Sequence, residues 1–193
     1  MMELFHYLLG DDNMPHPIII PKQEYFNNET QEFFMFPETK ILIEHSLISI
    51  SRWEAKYHKP FLEKSTKKEP EEIVDYIKFM SIGKPITDEM IMLMTKKDFE
   101  EINEYIANPS TATTFPNDDN ARNTSGEYVS SELIYYWMTA FQIPFECEKW
   151  HINRLLTLIK ICNRKNQPPK KLKGRDLINK HIAINKARRA KSR

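Results

Sequence analysis

A chain of 193 residues, 40% of them apolar, can close a core of its own, and its two cysteines, Cys147 and Cys162, are too few for a disulfide framework. The formal charge of +1 hides a strong asymmetry: residues 164–193 hold twelve Lys and Arg against one acid, Asp176, while the other 163 residues hold sixteen bases against twenty-six acids, so a body of −10 carries a tail of +11. No run of about eighteen apolar residues occurs and no basic N-terminal region precedes a small-residue cleavage site, which argues against a membrane span and against secretion.

In chain order, residues 1–17 read as an N-terminal arm, a short apolar segment ended by Gly10, Asp11, Asp12 and Asn13. Residues 18–45 read as a small antiparallel β element of two or three strands: Ile18, Ile19 and Ile20 are β-branched, Asn27 to Thr30 is a turn cluster, and Glu32 to Phe36 is an aromatic run broken by Pro37. So small a sheet is marginal alone and must lie against helices. Residues 46–109 carry those helices. The first runs from Ser46 to His58 and is stopped by Pro60. The second opens at Pro70 and runs through Ile82 with Ile73, Tyr76, Ile77 and Met80 on one face. A short one is capped by Thr87, and another opens at Thr95 or Lys96 with Phe99, Ile102 and Ile106 on its face. Residues 110–127, rich in Ser, Thr, Asn and Asp, predict a long surface loop.

Residues 128–165 predict a helical hairpin around which the rest packs. Leu133, Ile134, Trp137, Met138 and Phe141 recur at helical spacing before Pro144, as do His151, Leu155, Leu158, Ile159 and Cys162 after it, and Ser130 or Ser131 can cap the first helix. Asn166 to Pro169 then breaks the chain, and residues 166–193 form a basic helical tail with a narrow stripe of Leu177, Ile178, Ile182, Ala183 and Ala187. The predicted fold is mainly α of the α+β kind: a helical domain with a small N-terminal antiparallel β element and a basic C-terminal helix.

Catalytic patterns are sparse. Four glycines, none in a phosphate-cradling spacing, leave no nucleotide loop, and the pairs Glu71-Glu72 and Glu100-Glu101 fit solvated helix faces. Cys147 and His151, four apart, could share one helix face as metal ligands or as a nucleophile and base, but a structural zinc needs about four ligands and no second pair is spaced for it. Trp53, Trp137 and Trp150 could stack bases, yet their places on apolar helix faces make them core candidates. Lys170, Lys171, Lys173, Arg175, Arg188, Arg189 and Lys191 are the candidate partner contacts, for an acidic protein surface, a neighbouring copy of this chain or nucleic acid. No enzyme, metal or cofactor is expected from these patterns.

The strings LIEHSLISISRWEAKYHKPFL over residues 42–62 and SSELIYYWMTAFQIPFECEKWHINRLLTLIKICNRKNQPPKK over 130–171, with EEIVDYIKFM, EEINEYIANPSTATTF and INKARRAKSR, resemble a family of tail assembly chaperones encoded in the tail-gene region of long-tailed (siphovirus-type) bacteriophages. The resemblance covers most of residues 18–193. It implies a mostly helical, self-associating protein of the host cytoplasm that coats the hydrophobic tape-measure protein, is displaced as the major tail protein polymerises around it, and is absent from the finished virion. Nine methionines suit an adaptable apolar contact of that kind. The alternatives are a nucleic-acid-binding phage protein acting through the basic tail, or a minor structural protein of the tail or head–tail joint.

Overall fold

The computed structural model describes residues 15–27, 31–115 and 128–166, together with 174, 178, 181–186 and 188. It forms two compact units, Met1–Cys162 and Asn163–Arg193, taken separately below. Helix dominates, with antiparallel strands near the N-terminus, as the helical spacing and the β-branched run predict.

The strands begin at His16, inside the expected arm. β1 (His16–Ile20) pairs with β4 (Thr39–Ile43), while β2 (Gln23–Asn27) pairs with β3 (Glu32–Phe36) as a separate two-stranded sheet. Both ladders keep one register. Ile20 faces Thr39, Gln23 faces Phe36, and Pro21-Lys22 and Pro37-Glu38 fill the gap between them. The four strands are thus one long hairpin interrupted where two prolines supply no N–H to the ladder. Alternation places Ile18, Ile20, Ile41 and Ile43 in the core and leaves Ile19 and Lys40 outside.

Among the described residues four strands stand where two or three were expected, and a fifth joins them. The helix expected to run through Ile82 stops earlier: α2 spans Pro70–Phe79, and β5 (Ser81–Ile82) pairs with Leu42 and Ile43. The open edge of β4 offers backbone partners there. Glu44 N–H donates to Met80 O at 2.8 Å, and Gly83, at φ +76°, turns the chain away.

Local signals set the other helices. α1 (Leu47–Tyr57) is capped by Ser46 and closed one residue on by His58 in the left-handed conformation, before Pro60 is reached. α3 (Asp88–Leu93) and α4 (Lys96–Ala107) start at Thr87 and Thr95, and α5 (Ser131–Ala140) starts at Ser130. The predicted hairpin is not two helices meeting at one proline. A 3-10 turn, Phe145–Lys149, follows Pro144, and α6 (Ile152–Asn166) begins only after His151 has bridged to Ser46, with Ile152 N–H donating to His45 O at 2.7 Å.

The core is shared rather than centred on residues 128–165. Leu47, Ile50 and Trp53 of α1 meet the sheet isoleucines, Met80, Ile102, Ile134, Met138, Ile152 and Leu155. Glu54 is one of the buried acids of this region. Its two oxygens accept the backbone N–H groups of Phe61 and Ser131, each at 2.7 Å, tying α1 to the following loop and to the start of α5. In the second unit the described residues 178, 181–186 and 188 are helical and exposed. Residues 110–115 form neither helix nor strand; 1–14, 28–30 and 116–127, with the rest of the arm and loop predictions, lie outside the described residues.

Replacing Glu54 by Ala leaves the buried Ser131 N–H and the half-buried Phe61 N–H without an acceptor, a change expected to lower the unfolding free energy by about 3 kcal/mol in urea titration.

Candidate functional site

Two places in the body depart from ordinary packing. The first is the β2–β3 hairpin. Side chains alternate across a strand, so Phe26 and Phe33, directly opposed, share a face with Glu24 and Met35. That face is open: Phe26 is 41%, Phe33 69% and Met35 58% exposed, and the rings of Phe26 and Phe33 touch at 4.9 Å between centroids. The base of the hairpin is anchored on its other face, where Gln23 Nε2 donates to Leu93 O at 3.1 Å and Phe36 packs against the core. Glu24 places a negative charge on this apolar face. Large apolar groups gathered on one exposed face mark a contact surface far better than scattered ones.

The second is a buried polar junction where β4 passes into α1. Glu44, only 3% exposed, accepts a hydrogen bond from the Tyr105 hydroxyl at 2.5 Å. Burial pushes its carboxyl up to about 7, against the hydrogen bonds from Tyr105 and the His45 backbone, and pushes the Tyr105 hydroxyl up as well. His45 shares a hydrogen bond with the Tyr76 hydroxyl at 2.5 Å and meets His151 edge to face at 5.1 Å. Burial, then the neighbouring His151, lowers His45 to about 3, and burial lowers His151. His16 extends the stack, lying 4.8 Å over Tyr105 and donating from Nε2 to Glu101 at 2.9 Å. These groups hold elements together: Glu44 is bonded to Tyr105 of α4, His45 to Tyr76 of α2, and His16 of β1 to Glu101 of α4.

Cys147 and His151 do not form a nucleophile and base. His151 Nδ1 accepts from Asn153 N–H at 3.3 Å and Nε2 donates to Tyr105 O at 3.1 Å, so neither nitrogen is left for the thiol, which burial pushes up toward its neutral form. Among the described residues no three His, Cys, Asp or Glu side chains are grouped to hold a metal, and no helix is long and apolar enough to cross a membrane.

Of the three tryptophans, Trp53 is fully buried and donates its indole N–H to Glu72 O at 2.8 Å, whereas Trp137 and Trp150 are half-buried at the edge of the core. The Arg154 guanidinium lies 4.3 Å over the Trp150 ring. Arg188 is exposed on the tail helix; Lys170, Lys171, Lys173, Arg175, Arg189 and Lys191 lie outside the described residues. The hairpin face was absent from the sequence candidates, although its signal, the aromatic run ending at Pro37, is plain in retrospect. A strand with apolar residues on both faces reads as buried unless something shows that one face has no cover. Comparison of the chain with protein-family models, with curated proteins and with solved structures finds no match.

The junction has a readable pH signature. Neutral His45 and His151 favour folding, so their contribution is complete above the ordinary value of 6.5 and is lost as pH falls toward 3. Neutral Glu44 also favours folding, and its contribution, complete below 4.5, is lost as pH rises to 7. Glu44→Gln removes only the second effect. The stability of the natural chain relative to this variant is expected to fall by about 3 kcal/mol between pH 4.5 and 7 and to level off above, read from urea unfolding at each pH.

Proposed function

We propose that this protein acts by non-catalytic, reversible binding of apolar protein segments, and that its partners are those the sequence resemblance implies: the tape-measure protein and the tail tube subunits of a long-tailed bacteriophage during tail assembly. The observation that carries the reading is the open face of Phe26, Phe33 and Met35 on a hairpin anchored at its base.

The energetics suit a displaceable contact. Burying three large apolar side chains is worth on the order of 5 kcal/mol before the costs of association are met. A single hairpin therefore holds a partner weakly, and a long apolar protein is covered only when many copies bind along it. The strand edges of β2 and β3 add backbone hydrogen bonding to an extended segment. The basic tail, with Arg188 exposed on its helix, supplies a second contact for acidic tail subunits or for the acidic body of another copy.

The test is co-expression with each protein of the neighbouring tail genes, followed by affinity capture in high salt. Tape-measure protein that is retained and kept soluble supports the reading. Recovery of nucleic acid alone, released between about 50 and 200 mM salt, overturns it in favour of the basic tail, and stoichiometric presence in purified virions overturns it in favour of a structural component. The double substitution Phe33→Ser and Met35→Ser should reduce capture at least about tenfold, because two of the three exposed apolar groups are lost, while the thermal midpoint moves by no more than a few degrees.

A further inference from the structure

Where α1 faces α2, the cations are matched by carboxylates. Lys56 and Lys78 reach Asp75, Lys59 reaches Glu72 at 2.6 Å, and Lys78 also reaches Asp88 at 2.5 Å. Arg52, on the next turn of α1, and Lys149, at the end of the 3-10 turn, are exposed and have no carboxylate partner among the described residues. Both line one cleft of about 350 Å³, far along the chain from the aromatic hairpin.

The chemistry of the cleft is divided. Its buried lining includes Ser46 and Ser49, whose hydroxyls are already engaged, with each other at 3.0 Å and, from Ser49, with Glu44 O at 3.0 Å. The Glu44 carboxyl is engaged by Tyr105. The side chains left for the polar groups of a ligand are Arg52 and Lys149, cationic donors that favour an anion over a neutral acceptor. Ile48 and Phe79, half-buried, and Ile82, exposed, supply an apolar wall beside them. Along that wall β5 pairs with β4 alone among the described residues, so its outer edge is open to an extended chain.

We infer that this cleft binds an extended acidic segment of a partner protein, with a carboxylate held between Arg52 and Lys149 and a neighbouring apolar side chain against Ile48, Phe79 and Ile82. The site is separate from the hairpin and has opposite salt behaviour. Exposed ion pairs weaken as salt rises, whereas apolar contact does not. A partner seated on both sites is held through salt-resistant and salt-sensitive contacts at once. The forked guanidinium of Arg52 gives the carboxylate direction that a lysine pair would not.

The test uses the full chain and a fluorescein-labelled octapeptide of alternating Glu and Leu, followed by fluorescence anisotropy. Binding that weakens at least about tenfold in the variant carrying Arg52→Ala and Lys149→Ala, and by a similar factor when Gln replaces Glu in the peptide, supports the site. The variant's far-UV circular dichroism and urea midpoint must match those of the natural chain; if they do not, Lys149→Ala alone, on the exposed turn, serves with a smaller expected loss of about threefold. Unchanged affinity in the variant overturns the proposal and assigns the peptide to the basic segment 164–193. Equal binding of the Gln peptide, or its displacement by inorganic phosphate at constant ionic strength, overturns it too. The variant carrying Phe33→Ser and Met35→Ser should bind the octapeptide normally, which keeps this result independent of the hairpin reading.

Discussion

The fold turns on three residues, Glu44, His45 and Ser46, where the central strand of the sheet becomes the central helix. Glu44 N–H reaches the exit of α2 at Met80, His45 O receives the N–H of Ile152 at the head of α6, and Ser46 caps α1 while bridging to His151. The side chains repeat the pattern, with Glu44 bonded to Tyr105 of α4 and His45 to Tyr76 of α2. Few segments so short meet four helices. A strand that must become a helix has to redirect its backbone groups, and here every redirected group finds a partner, leaving no buried side-chain polar atom unsatisfied among the described residues.

Fixing that junction frees the other end of the same hairpin. Because β1 and β4 are clamped against the helices, the interrupted ladder beyond Pro21 and Pro37 adds only Phe36, at its base, to the edge of the core, and Phe26, Phe33 and Met35 remain at the surface. Aromatic groups exposed on a hairpin whose base is held by Gln23 are poised without being loose. Such a surface would need little ordering on binding, which suits the reversible contact proposed for it.

Charge is arranged along the same division. The body, acidic overall, pairs its lysines internally on α1 and α2 and leaves Arg52 and Lys149 at one cleft, while the last thirty residues carry nearly half the bases of the chain. Apolar capture at the hairpin and ionic capture at the cleft and tail respond differently to salt, so the proposed contacts can be loosened one at a time.

Much of the helical framework was legible in the residues themselves. Ser46, Thr87, Thr95 and Ser130 announce helix starts because a cap bonds to a backbone group only three residues away, and the 3.6-residue spacing of Ile134 and Met138, or of Leu155 and Ile159, needs no knowledge of the partner. The mainly helical class and the segregated basic tail follow from the same local reading. Tertiary structure decided the rest. Ser81 and Ile82 left a helical pattern because the edge of β4 was nearby, the Glu44 carboxyl is pushed up to about 7 because folding buries it beside Tyr105, 61 residues away, and Phe33 stays 69% exposed on the open face of its strand. Each of these depends on which surfaces meet, and spacing along a chain carries no record of that.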